Sequence, residues 1–144
     1  FYTDGYKLVE SHHLGMEHQS AVAYGNKFMN GYRGRDLSRS GWGLKWDFII
    51  VHESGHEWFG NNISSKDVAD MWVHEGFTNY SETLFTDYVY GTDAGNAYAQ
   101  GIQKNILNDK PVIGTYNVNS EGSGDMYYKA SSMIHMIRQI IGDK

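Results

Sequence analysis

HESGHEWFG, residues 52–60, sets two histidines four apart with a glutamate directly after the first. On a helix, positions i and i+4 lie one turn apart on the same face. His52 and His56 can therefore aim two imidazoles at one metal ion. Glu53 is displaced around the helix, where it reaches a water on that ion rather than the ion itself. The pattern is H-E-x-x-H, which pairs two zinc ligands with a general base and requires a helix as its context. That context is predicted. LKWDFIIVHESGHEWF, residues 44–59, is strongly apolar and reads as a helix buried on most sides, stopped by Gly60, Asn61 and Asn62.

Two histidines do not complete a catalytic zinc site, which typically takes three protein ligands and leaves one position for water. DMWVHEGFTNYSE, residues 70–82, offers the third. Glu75 lies nineteen positions after His56, and an antiparallel helix pair with a short turn brings it alongside. Its neighbours Trp72, Val73 and Phe77 are apolar, which argues against a plain surface glutamate. His74 competes, but as the adjacent residue it points about 100° away on the helix.

Outward from this pair, the chain reads as strands first and helices after. YKLVE and HQSAVAY, within residues 1–30, mix β-branched and aromatic residues in short runs between glycines. Residues 31–43 are glycine- and serine-rich and read as a loop. The stretch GYRGRDLSRS within it carries three arginines and reads as a solvated loop rather than a binding patch. Ser64, Ser65 or Asp67 caps the second helix, which runs to about Tyr90 and stops at Gly91. Thr92 or Asp93 opens a third helix, ending near Asn108. A loop over 110–125 follows, and Asp125 caps a fourth helix. On that helix Met133, Ile134, Ile137, Ile140 and Ile141 share one face. Strands followed by about four helices predict an α+β fold.

A chain of 144 residues is one domain by length. A net charge of −5 with no basic block argues against an electrostatic nucleic-acid surface. With no cysteine, disulfides and thiolate metal sites are ruled out, so zinc must be held by His, Asp or Glu. No apolar run reaches the roughly 18 residues of a membrane span, and no signal peptide is visible. Compartment is not legible. The chain starts at Phe1 inside a strand-like pattern and ends two residues after the helix stop at Gly142, so it reads as a piece of a larger protein.

H-E-x-x-H followed by eighteen residues and a glutamate resembles the gluzincin zinc aminopeptidases, the aminopeptidase N-like family that includes the leukotriene hydrolase branch. HESGHEWFGN is similar to their zinc helix. MWVHEGFTNYSE is similar to their third-ligand helix, with His74 where the family has asparagine. LGMEHQS resembles their exopeptidase motif G-x-M-E-N, with Leu14 and His18 as departures. YYKASSMIHMIR resembles their Y-x-K-G helix opening, with Ala130 at the glycine. The resemblance covers nearly the whole chain, four motifs in the family's order.

The resemblance implies a thermolysin-like catalytic domain spanning residues 1–144, one Zn²⁺ held by His52, His56 and Glu75, and hydrolysis of the N-terminal peptide bond of peptides. Glu53 is the implied general base. Glu17 and the outer oxygen of Glu75 would bind the free amino terminus, while Gly15 and Met16 would pair with the substrate backbone as an edge strand. His18 bears on those backbone contacts. Tyr127 would donate its hydroxyl to the oxyanion, with Tyr128 as its competitor. Zinc-bound histidines usually donate their second nitrogen to a carboxylate or carbonyl. Glu82, seven residues beyond Glu75 on the same helix face, is a candidate for that partner, against a solvent-exposed position; Asp47 and Asp70 are further candidates. His12, His13 and His135 read as ordinary residues. The family also implies an N-terminal β-domain and a C-terminal helical domain outside this chain.

Overall fold

The computed structural model describes residues 5–143. The strand pattern expected from Phe1 onward thus begins outside the described residues. Among these, three short strands form one sheet: β1 (Leu8–Glu10), β2 (Gly15–Met16) and β3 (Val22–Tyr24). Their order is β1-β3-β2, with β1 parallel and β2 antiparallel to β3. The register pairs Leu8 with Val22 and Gly15 with Tyr24. The central strand β3 is buried along its length, as its VAY sequence favours, and β2 is left at an edge.

Four helices follow: α1 (Phe48–Gly55), α2 (Met71–Tyr90), α3 (Thr92–Ile102) and α4 (Asp125–Ile141). The 20-residue α2 is central and packs against the other three. The result is a small α+β fold. Tyr24, Trp46, Phe48, Ile49, Tyr98 and Ile102 form its apolar core between the sheet, α1 and α3. No helix among the described residues is long and apolar enough to cross a membrane.

Four boundaries differ from the sequence expectation. The first helix begins at Phe48, not Leu44, because Asp47 takes an extended backbone and its carboxylate accepts the amides of Ile49 and Ile50. Trp42–Leu44 is a separate 3₁₀ turn. The same helix ends at Gly55, yet His56 keeps right-handed helical angles (φ −65°, ψ −18°) and still lies one turn from His52. In front of α2, Asp67 caps a 3₁₀ turn over Val68–Asp70 by accepting the Ala69 amide at 2.9 Å. The third helix stops at Ile102 and gives way to a 3₁₀ turn over Gln103–Asn105.

The fourth helix departs furthest. Asp125 does not cap it. Gly124 occupies that position, and the buried Asp125 carboxylate instead accepts the Leu107 and Asn108 amides at 2.8 and 2.7 Å, pinning the segment after α3. The face defined by Met133, Ile137, Ile140 and Ile141 is exposed, Ile140 at 83%. The packed face holds Met126, Ala130, Ser131, Ser132 and His135. Small residues let α4 approach α2 closely, so the helix packs on its small side and leaves its long aliphatic side outward. His135, on the packed side, is therefore buried, with its ring 5.9 Å from that of Tyr80.

The inner stripe of α2 is also polar. Glu75, Thr78, Asn79, Glu82, Thr83 and Thr86 are all buried, at the i, i+3, i+4 spacing usually given to apolar residues. Buried polar groups require partners. Those of α2 find many of them on α1 and α3, in one hydrogen-bonded assembly.

Candidate metal centre and its surroundings

The close approach of α1 to α2 creates the centre. It occurs at Gly55, where an added Cβ would lie 2.4 Å from Ser81 Oγ and 3.2 Å from Thr78 Cγ2. Lacking one, α1 settles against α2 and brings His52 and His56 over Glu75. Their Nε2 atoms are 3.3 Å apart, and each is 3.4 Å from Glu75 Oε2. All three side chains are buried.

The triangle can be tested against a metal. Donors at about 2.0–2.1 Å from one tetrahedral zinc ion lie about 3.3–3.4 Å from each other. The three separations match that edge length. Glu75 Oε2 is buried and receives no hydrogen bond of normal geometry, its nearest polar neighbours being the two imidazole nitrogens at 3.4 Å, so it has capacity left for a cation at the centre. Two nitrogens and one carboxylate oxygen are also a donor set that zinc accepts. The residues fit the ion.

Both imidazoles are fixed from behind. His52 Nδ1 donates to Glu82 Oε1 at 2.8 Å, and His56 Nδ1 donates to the Phe59 carbonyl at 2.9 Å. Each ring therefore turns Nε2 toward the centre. Glu82 is fully buried and is itself held by Asn79 Nδ2 at 2.8 Å on Oε1 and by the Tyr98 hydroxyl at 2.7 Å on Oε2. Asp47 and Asp70 do not reach either histidine: Asp47 caps α1 and meets Tyr24 and Asn26, and Asp70 accepts the Tyr116 hydroxyl. His74 faces away from the triangle, its Nε2 accepting the Ser65 amide at 2.8 Å. His12 and His13 are exposed.

Electrostatics divide the groups. Burial opposes a proton on His52, but the Glu75 and Glu82 carboxylates outweigh it and push the group up to about 10. Burial likewise disfavours the charge on Glu75, but His52 and His56 hold it down at about 2. Glu53 is different: burial pushes its carboxyl up to about 7 against the pull of both histidines. Burial and then the Glu75 charge push the Tyr127 phenol up, so it stays a donor at neutral pH. For Tyr128 the first charged influence after burial is Glu82 rather than Glu75.

Beside the triangle, a cleft of about 480 Å³ is lined by His52, Glu53 and Tyr127, by Gly15 of β2, and by a wall that includes Ile49, Phe48 and Tyr128. Gly15 lies hard against Glu53, since a Cβ there would be 2.4 Å from Glu53 Oε1. Glu17 is close by, its carboxylate within 4.8 Å of donor atoms of Glu53 and His56. Met16 is partly exposed on the same strand edge. A separate cleft of about 600 Å³ around Glu10, Asn26 and Arg33 contains none of these groups.

The family model for the peptidase family M1 domain matches residues 4–144. The chain belongs to peptidase family M1. Similar proteins include aminopeptidase Q of Mus musculus, 45% identical over 42 residues, which are 29% of this chain and 8% of that protein. Aminopeptidase N of Lactococcus lactis subsp. lactis is 27% identical over 110 residues, 67% of this chain and 13% of that protein. Human aminopeptidase N is 33% identical over 97 residues, 63% of this chain and 10% of that protein. The M1 chain thus spans about a tenth of the length of these curated relatives. No solved structure matches it.

Several groups that organise this M1 site carry no signal in the sequence reading. Glu57 follows His56 and is buried, accepting the Ser20 amide at 3.0 Å. Asn61 donates its side-chain amide to the Glu17 carbonyl at 2.9 Å. These two bonds tie the segment after β2 to the end of the histidine helix. Tyr98 lies sixteen residues from Glu82 on another helix, so no local spacing points to it. Asn61 was legible as a helix stop and not as a tether.

Proposed function

We propose that this M1 chain is the thermolysin-like catalytic domain of a zinc aminopeptidase, acting on the N-terminal peptide bond of peptides. The supporting observation is the triangle of His52 Nε2, His56 Nε2 and Glu75 Oε2, with edges of 3.3–3.4 Å, beside a carboxyl raised to about 7. These three residues would hold the ion. Bound zinc supplies Lewis acidity and brings the pKa of water from about 15.7 to about 7.

The chain's own groups carry the rest. Glu53, poised near neutrality, takes a proton from the attacking water and delivers it to the leaving amine. Tyr127, kept protonated, donates to the oxyanion that forms on the carbonyl. Glu17 pairs with the substrate ammonium, together with the outer oxygen of Glu75, and so sets the cut one residue from the end. Gly15 and Met16 offer an edge strand to the substrate backbone. Glu82 orients His52. In this reading the chain is one domain of a longer protein, with an N-terminal β-domain and a C-terminal helical domain outside it.

The test is zinc content of the purified full-length protein, paired with hydrolysis of aminoacyl amides with free and with acetylated amino groups, for wild type and Glu17→Ala. One zinc per chain and cleavage confined to free amino termini, lost in the variant, is the expected result. Equal cleavage of acetylated substrates would remove Glu17 as the anchor and make the protein an endopeptidase. A chain without affinity for zinc would overturn the reading.

A further inference from the structure

The arginine-bearing stretch that reads as a solvated loop forms part of the cleft wall. Tyr32 and Arg35 exchange backbone hydrogen bonds at 2.9 and 3.1 Å. Between them Arg33 (φ 51°) and Gly34 (φ 78°) both take the left-handed region, a two-residue turn of the tight hairpin kind. The hairpin is moored to the start of α1 by the Gly31 amide, 2.7 Å from the Trp46 carbonyl. It presents Tyr32, Arg35 and Leu37 to the cleft that also holds Glu53 and Tyr127. The Arg35 guanidinium lies over the Tyr32 ring, 5.6 Å from its centroid. Arg138 is held by Asp87 and Asp143, whereas no carboxylate pairs with Arg35 among the described residues.

The cleft has a direction relative to the reacting bond. Glu17 groups with Glu53 and His56, and neither Glu17 nor His56 lines the cleft. His52, Glu53 and Tyr127 do. A peptide whose ammonium meets Glu17 crosses the triangle toward His52, and the residue after the scissile bond enters the cleft. Apolar walls from Leu14, Leu37 and Ile49 suit its carbon atoms. Glu53 would repel a carboxylate there, and Arg35 supplies the opposing charge with a planar fork suited to carboxylates.

Resting on the aminopeptidase reading, we propose that Arg35 is a specificity-determining residue that binds a carboxylate on the leaving side of the scissile bond. That carboxylate is either the free C-terminus of a dipeptide or an acidic side chain at the second position.

The experiment measures kcat/KM of the full-length protein for two matched pairs: Leu-Leu against its C-terminal amide, and Leu-Glu-amide against Leu-Gln-amide. The wild type should favour the carboxylate-bearing member of one pair by about tenfold, chiefly through KM, with the ratio shrinking as salt rises. The pair that shows it identifies which carboxylate is read. Arg35→Ala should bring that ratio to about one. Arg35→Glu should invert the preference toward Leu-Lys-amide, a gain that misfolding cannot produce. Equal kcat/KM within both pairs, or a preference that survives Arg35→Ala, overturns the assignment while leaving the aminopeptidase reading intact. Failure of the wild type to cleave any of the four overturns both.

Discussion

Replacing Glu82 by Gln isolates the charge behind His52 from its shape. The side chain is fully buried, and its two oxygens receive three donors, from His52, Asn79 and Tyr98. Glutamine fills the same volume. Its carbonyl oxygen still accepts from His52 and Asn79, and its amide faces a Tyr98 hydroxyl able to turn and accept. The hydrogen bonds survive and the negative charge does not. Partners of this kind change metal affinity by about 10- to 100-fold, or about 1.4–2.8 kcal/mol. Glu82→Gln should therefore weaken zinc binding by that factor in a chelator competition, and should also lower the stability of the metal-free chain, since the Glu82 charge helps to hold the proton on His52. Glu82→Leu strands three buried donors at about 1–3 kcal/mol each, a sum comparable with a whole domain's stability of about 5–15 kcal/mol, and should not fold. A folded Gln variant that binds zinc within twofold of wild type would refute the idea that this carboxylate tunes His52.

Two further outcomes follow from the same geometry. Gly15→Ala places a methyl group 2.4 Å from Glu53 Oε1, and the flexible carboxylate must yield. Since displacement of about 1 Å costs about a hundredfold in rate, kcat should fall by that order while zinc content stays at one; an unchanged kcat would place the base elsewhere. In the metal-free chain His52 is raised to about 10, so its stabilising contribution is complete below its unfolded value of about 6.5 and is lost as pH rises through about 10. Zinc must displace that proton from Nε2. Apparent zinc affinity should rise about tenfold or more per pH unit between pH 7 and 8.5 in a competition assay, and a flat profile would contradict the protonation state.

What a sequence shows depends on how far apart the cooperating residues are. The i, i+4 spacing of His52 and His56 states their relation outright, and survives even though the helix closes at Gly55. Glu75 joins them only because α1 and α2 touch at Gly55 and Ser81, a contact that the spacing of nineteen suggests without requiring. Tyr98 and Asn61 act across tertiary contacts and leave no periodic trace. The hydrophobic pattern misleads on α4: the longest aliphatic residues point outward, while alanine and serine make the contact with α2. The polar inner stripe of α2 misleads in the opposite sense, because a stripe of Glu, Thr and Asn would ordinarily be placed in water. The hairpin at residues 32–35 is solvent-exposed at Arg33, Gly34 and Arg35, as its arginines and glycine suggest, and only the fold sets Tyr32 and Arg35 along the rim of the cleft.

The two bonds from Asn61 to Glu17 and from Ser20 to Glu57 have a consequence of their own. They rivet the strand end carrying Glu17 to the turn that leaves His56, so the two cannot drift apart. Under the reading proposed above, the protein is a calliper with fixed jaws, one closing on the ammonium and the other on the carbonyl. Such a calliper tolerates many side chains and accepts one backbone spacing. A peptide that begins with a β-amino acid carries its ammonium one carbon, about 1.5 Å, farther from the carbonyl, and the jaws reject it by length alone.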